Sequence, residues 1–170
     1  MDSAKKTFNG SELSVEIDVF IANQNFASKI IELIRDTSDH DYGFFEADEF
    51  RVDVQTQEKY LKELGKKENS VMLLASDRQQ LIGYVSVLGG NFRRNAHCGR
   101  LSISIKSKYH RCCVGSLLMR EVIRWASYTD WIKRLELEVF EISTVKNFFV
   151  GMVLGKKRLG RGGSIQQCLG

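Results

Sequence analysis

Polar and apolar positions alternate from Leu13 to Ile21 (LSVEIDVFI), the period of a strand. The period then lengthens. Phe26, Ile30, Ile31 and Ile34 fall on one helical face within Asn23 to Arg35, which predicts a helix. Residues 36–54 (DTSDHDYGFFEADEFRVDV) are polar, acidic and aromatic and follow neither period, so they read as a helical insertion or lid. A short helix is predicted over Gln55 to Leu64, with a lysine-rich exit at Gly65 to Lys67. Val71 to Ser76 and Leu81 to Leu88 are apolar runs separated by the polar turn Asp77 to Gln80, the pattern of an antiparallel hairpin. After a turn at Gly89 to Asn95, CGRLSISIK puts Leu101, Ile103 and Ile105 on one face and Ser102 and Ser104 on the other, as a third meander strand. Val114, Leu117, Leu118, Val122 and Trp125 return to helical spacing and predict a helix from about Val114 to Ser127. Arg134 to Glu141 alternates strictly, with Leu135, Leu137 and Val139 opposed to Glu136 and Glu138. Strand, helix and strand in that order imply a right-handed crossover between parallel strands.

These elements predict an α/β (α+β) fold with a mixed, mainly antiparallel sheet, one crossover and flanking helices. No internal repeat or linker divides the chain, so residues 1–170 are expected to form one domain, with 156–170 as an atypical basic, glycine-rich tail. The 43% of hydrophobic residues can fill a sizeable core, which excludes a disordered tail protein. No run approaches the ~20 apolar residues of a bilayer span, and MDSAKKTFNGSELS offers no signal peptide. A cytoplasmic protein without a membrane partner is expected. Cys112 and Cys113 are adjacent while Cys98 and Cys168 stand apart, spacing that predicts free thiols and no metal site. With no proline present, turns must rely on Gly, Asn, Asp and Ser.

Charge is unevenly spread. Residues 1–92 carry 10 basic and 16 acidic side chains, and residues 93–170 carry 15 basic and 5 acidic. An acidic half joined to a basic half suits a protein that holds a polyanion on one side and attracts a cation on the other, although uneven surface charge has other causes.

The element richest in chemistry is the junction Ile103-Ser104-Ile105, then Tyr109-His110-Arg111-Cys112-Cys113-Val114-Gly115-Ser116, leading into the amphipathic helix. A strand that turns tightly into a helix N-terminus offers unpaired N–H groups and the positive end of the helix dipole, which is an anion site. The same residues read equally as an ordinary turn with Gly115 there for packing.

Leu101-Ser102-Ile103-Ser104-Ile105, Tyr109, Gly115 and Ser116-Leu117-Leu118 resemble the signature of the GNAT superfamily of acyl-CoA-dependent N-acyltransferases. Leu81-Ile82-Gly83 after a polar turn, the long helix and Leu135-Glu136-Leu137-Glu138-Val139 follow in that family's order, and the resemblance covers roughly residues 13–155. It implies acetyl-CoA as co-substrate without a metal. It implies a pantetheine arm beside the backbone of Ile103, Ser104 and Ile105, and a pyrophosphate on the loop of Arg111, Cys112, Cys113, Val114, Gly115 and Ser116. His110 stands at the family's usual Arg or Gln position and Cys113 at a usual glycine, where a Cβ crowds the phosphate or demands a strained backbone.

Acetyl transfer to an amine needs a proton acceptor and donors for the developing charges. Glu138 is the first candidate base, by its position on the strand after the main helix; a solvated strand face explains it too. His97 and Glu46 are weaker candidates. Arg100 occupies a position often acidic in the family, and Ser143 falls where the family has an asparagine. Thr144 to Met152 resembles a shortened version of the family's next helix, with Phe148 at the position of a thiolate-protonating tyrosine and Gly151-Met152 at its Gly-Phe pair. A phenylalanine cannot donate a proton. The family's final strand pair is not recognisable beyond Lys156.

The resemblance therefore implies an N-acetyltransferase that moves an acetyl group from acetyl-CoA to a primary amine of a small molecule or protein, by direct attack in a ternary complex. The amine would enter past Asp41, Glu46, Asp48 and Glu49, whose charges suit a cation, between Tyr42, Phe44 and Phe45. The alternative is a catalytically weakened or inactive acyl-CoA-binding domain, favoured by Phe148, Arg100, Cys113 and the tail. Pairing into a homodimer is open. Nucleic acid is not an expected partner: Lys156, Lys157, Arg158 and Arg161, to which Arg93 and Arg94 would add, lie in a tail without interleaved aromatic side chains.

Overall fold

The computed structural model describes residues 4–9, 14–38, 50–138, 158–159 and 164–168, with side chains placed for 16–37 and 50–137. Strands β1 (Ala4–Asn9) and β2 (Ser14–Ile21) lead through a 3-10 turn (Gln24–Phe26) into α1 (Ala27–Ser38). After α2 (Val54–Leu64) come β3 (Val71–Asp77), β4 (Gln80–Gly89) and β5 (Cys98–Ile105). A second 3-10 turn (Ser107–Tyr109) precedes α3 (Val114–Tyr128) and β6 (Arg134–Glu138), and the described residues end with β7 (Arg158–Leu159) and β8 (Ser164–Cys168). The sheet order is β1-β2-β3-β4-β5-β6-β8-β7. Only β5 and β6 pair in parallel, and α3 makes the crossover between them, as the sequence pattern predicts.

Local chemistry sets the element ends. Asp53 caps α2: its carboxylate accepts from Thr56 N at 2.8 Å and from Thr56 Oγ1 at 2.8 Å, and these bonds hold its pKa below the usual carboxylate value. Asn23 accepts from Asn25 N at 2.9 Å and starts the 3-10 turn before α1. The β3–β4 turn is Arg78-Gln79 with φ of 45° and 73°, the left-handed pair that a two-residue hairpin needs, here without glycine.

The sheet is covered on both faces. Leu117, Leu118, Val122 and Ala126 of α3 pack with Val71, Leu73, Ala75, Val85, Val87, Leu101 and Leu135. On the other face Ala27, Ile30 and Leu33 of α1 and Leu61 and Leu64 of α2 pack with Met72, Leu74 and Leu81. β3 contributes to both clusters, so its apolar run is continuous rather than alternating.

Two outcomes differ from the sequence pattern. β1 pairs with β2 although AKKTFN carries no apolar alternation, and the basic, glycine-rich tail supplies β8, antiparallel to β6 from Arg134↔Cys168 to Glu138↔Ser164. β1 at the sheet edge and β8 between β6 and the two-residue β7 are joined to the sheet by backbone hydrogen bonds, which leave little mark on side-chain pattern. The segment 39–49 and the shortened segment around Phe148 lie outside the described residues.

Candidate functional site

β5 is flanked unequally. It pairs with β4 along its whole length, to Ile105↔Gly83, but its last pair with β6 is Leu101↔Leu137. Lys106 N donates to Ile82 O at 2.9 Å and Gly90 N to Cys98 O at 3.2 Å. Both fit the β4–β5 register, so even-numbered residues of β5 exchange hydrogen bonds with β4. By alternation the N–H and C=O groups of Leu101, Ile103 and Ile105 address the opposite edge. Leu101 is within the β6 pairing, and beyond it Ile103 and Ile105 have no strand partner on that edge among the described residues.

The Ile105 carbonyl is engaged by the His110 ring, with Nε2 at 2.9 Å. A carbonyl only accepts, so Nε2 carries the proton of this bond. Ile103 N–H, Ile103 C=O and Ile105 N–H then have no partner among the described residues. Ser104, grouped with its neighbours by the sequence pattern, instead turns its backbone to β4 opposite Tyr84.

The open edge runs into the loop before α3. Tyr109 N donates to Lys106 O at 2.9 Å, His110 N to Ser107 O at 3.0 Å, and Cys112 N to Tyr109 O at 3.4 Å. Leu117 N donates to Cys113 O at 3.0 Å, which closes the first turn of the helix. The amides of Arg111, Cys113, Val114, Gly115 and Ser116 have no acceptor among the described residues, and Cys113 provides no side-chain cap. Arg111 and Cys113 both lie in the left-handed region, at φ 64° and 61°. The expectation of a strained backbone at Cys113 therefore holds, and Arg111 shares the strain. A left-handed non-glycine residue costs about 1–2 kcal/mol, and here it turns successive amides outward at the positive end of α3.

Side chains brace this loop. Tyr109 is buried, and its hydroxyl donates to Asp77 Oδ2 at 3.2 Å, tying the loop to the end of β3. Burial, and then the Asp77 charge, push the phenol above its usual pKa. Lys108 Nζ stands 5.0 Å from the Tyr109 ring centroid, and Lys106 Nζ pairs with Asp36 of α1 at 2.8 Å. Cys112 is half-buried with Sγ 3.6 Å from His110 O, whereas Cys113 is exposed; both are free thiols.

Glu138 occupies the first β6 position beyond the last β5–β6 pair, opposite Ser164 of β8. Its neighbour Glu136 is paired with Arg134 Nη2 at 2.6 Å. Arg100 is exposed on the paired half of β5. His97 is not brought to the site: it precedes the other end of β5, where its carbonyl accepts from Lys133 N at 2.9 Å and Arg134 N at 3.1 Å. Phe148, Ser143, Gly151-Met152, Glu46 and the group Asp41, Asp48, Glu49, Tyr42, Phe44 and Phe45 lie outside the described residues.

The sequence pattern passed over Tyr84. It lies on β4 directly across from Ser104, packed against the α1–α2 cluster, with the Ser102 side chain beside its hydroxyl. Burial pushes this phenol's pKa up. A tyrosine in an apolar strand reads as core, and only the sheet register brings it beside the open half of β5.

The sequence matches the acetyltransferase (GNAT) family over residues 30–145. No curated protein matches the chain. Among solved structures it is similar to an acetyltransferase of the GNAT family from Streptococcus pneumoniae, at 22% identity and a TM-score of 0.80, covering 91% of this chain and 100% of that one. A Salmonella typhimurium protein solved with its cofactor acetyl-CoA is 11% identical, with a TM-score of 0.75 and coverage of 91% and 94%. An N-acetyltransferase from Thermoplasma acidophilum in complex with coenzyme A is 18% identical, with a TM-score of 0.67 and coverage of 90% and 99%. At these identities the structures bear on the fold alone. Among the described residues no helix is long and apolar enough to cross a membrane.

Proposed function

The chain belongs to the acetyltransferase (GNAT) family, and from that membership we propose that it is an N-acetyltransferase that moves an acetyl group from acetyl-CoA to a primary amine by direct attack in a ternary complex. The observation that carries this reading is a run of backbone donors without a partner among the described residues, from Ile103 and Ile105 on the far edge of β5 to the amides of Arg111, Cys113, Val114, Gly115 and Ser116. The loop fits an anion: its amides are free, and exposed His110 and Arg111 stand beside it. The solved structures that hold acetyl-CoA or coenzyme A in the same fold support the choice of ligand.

Acetyl-CoA supplies the activated thioester. The residues of this chain do the rest. The Arg111 to Ser116 amides hold the diphosphate without needing any particular side chain, which is how Cys113 can stand at a glycine position provided that its backbone is left-handed. Ile103 and Ile105 offer the edge of β5 to the amide-bearing pantetheine arm, as another strand would. An amine must reach the thioester uncharged, and Glu138, one position beyond the last described β5–β6 pair, accepts its proton. Phe148 leaves the departing thiolate to water or another donor, so turnover is weak at neutral pH.

Release of coenzyme thiol, followed with a panel of primary amines, tests the reading. Amine-dependent release is expected, and Phe148→Tyr raises its rate. Acetyl-CoA binding without amine-dependent release by any amine, in the parent and in Phe148→Tyr, would replace the enzyme with a non-catalytic coenzyme-binding domain.

A further inference from the structure

The end of the molecule remote from the loop before α3 is built from three turns, 65–70, 90–97 and 129–133, that hydrogen bonds join into one surface. Asn69 Nδ2 donates to Gly90 O at 3.1 Å and to Ala96 O at 3.2 Å. Thr129 Oγ1 donates to Glu68 O at 3.2 Å, and Lys133 N to His97 O at 2.9 Å. Three large aromatic side chains stand out from this surface: Phe92 is 74% exposed, Tyr128 82% and Trp131 51%. Single exposed apolar residues are ordinary, but three at one knitted end mark an interaction surface.

The charge around them is positive. Arg93, Arg94 and Lys133 are exposed and form no ion pair among the described residues, and Lys67 donates to Asn91 Oδ1 at 3.0 Å on the same surface. Glu68 and Asp130 are the only acidic residues on the three turns. A second copy of the chain would bring like charges face to face. A carboxylate-rich peptide would satisfy the cations but leave three rings without planar partners. Bases joined by phosphates satisfy both.

We propose that this end of the molecule binds single-stranded nucleic acid, with bases stacked on Phe92, Tyr128 and Trp131 and phosphates held by Arg93, Arg94 and Lys133. The basic tail considered from the sequence alone lacks aromatic residues; the turns supply what it lacks. The surface lies at the Cys98 end of β5, whereas the coenzyme loop lies beyond Ile105, so the two sites are separate.

The test is titration of the full chain with fluorescein-labelled oligothymidylate and oligouridylate, read by anisotropy and by quenching of tryptophan. Binding is expected with a Kd of about 10⁻⁴ to 10⁻⁶ M, weakening as salt rises. Trp131→Ala and Phe92→Ala each weaken it by about tenfold, while Trp131→Phe keeps a ring and most of the affinity. Arg93→Ala with Arg94→Ala lowers the salt slope by about 1.4. Acetyl-CoA affinity stays unchanged in Trp131→Ala, which shows that the variant is folded. Absence of binding at low salt would overturn the proposal, as would affinity indifferent to the aromatic substitutions, or equal competition by polyglutamate, which would make this a surface for acidic proteins.

Discussion

From Cys98 to Leu101, β5 is held between β4 and β6 and its apolar side chain Leu101 is buried; from Ser102 to Ile105 β4 is its one strand partner among the described residues, and Ile103 and Ile105 are only half-buried. The same alternating sequence therefore has two environments. In the first half the backbone is saturated, Gly99 packs so closely that a Cβ would meet Val87 Cγ1 at 2.5 Å, and His97 is drawn into the turn by two backbone donors. In the second half donors are left over and the chain passes through two left-handed residues into a helix N-terminus. Stability is concentrated where the strand is paired twice, and binding capacity where it is paired once, because an unpaired N–H is a cost to folding that a ligand can remove.

The largest expected effect sharpens the assignment of chemistry to the parting of β5 and β6. Glu138→Gln should lower kcat by about 10²–10⁴-fold with acetyl-CoA affinity retained, measured by steady-state kinetics beside calorimetry. Unchanged kcat would remove Glu138 from the reaction. Next comes the closed half: Leu101→Ala should cost about 2–5 kcal/mol in denaturant unfolding, and Ile103→Ala distinctly less, since its side chain is already partly in water. Equal costs would break the comparison.

On the open side, Gly115→Val should weaken acetyl-CoA binding by about a hundredfold or more, roughly 2.7 kcal/mol, with far-UV circular dichroism unchanged. Retained affinity would move the coenzyme away from the α3 terminus. Cys113→Gly removes the steric penalty of φ 61° and should stabilise the protein by about 1 kcal/mol or less, because glycine also loses more chain entropy on folding. The smallest effect is pH-dependent. Tyr109 has its pKa raised in the fold, so its contribution to stability is complete below the unfolded value near 10 and declines as pH rises through the folded value. Tyr109→Phe should flatten the alkaline limb of a stability–pH curve and leave the limb below pH 9 parallel to that of the parent.

Elements with a strong side-chain period were readable from residues alone. α2 was expected from Gln55 and starts at Val54; α3 was expected from Val114 and starts there; β3, β4 and β5 agree within a residue or two. Their hydrophobic faces decide their type, since a period of 2 or 3.6 buries apolar area only in one geometry. The presence of amides without partners in the loop was also readable, because a strand entering a helix leaves N–H groups unpaired by the helix whatever the side chains are. β1 and β8 were not: a strand added to a sheet needs only a neighbour with free hydrogen-bonding groups, and KKTF and SIQQ carry no apolar alternation.

What the sequence by itself determined, then, is the order of strands and helices from β2 to β6, the parallel crossover through α3 and the location of a helix N-terminus after Tyr109. Only the tertiary structure decided which backbone groups are free. Periodicity ranks Ile103, Ser104 and Ile105 alike as a strand, but the β4 register assigns Ser104 to β4 and Ile103 and Ile105 to the opposite edge, where the described residues supply no partner beyond Leu101↔Leu137. Tertiary structure likewise gathered Phe92, Tyr128 and Trp131 at one end, from segments up to 39 positions apart in the chain. Side-chain pattern encodes what is buried against what; hydrogen-bond register and the meeting of turns depend on partners distant in sequence, and those exist only once the sheet has formed.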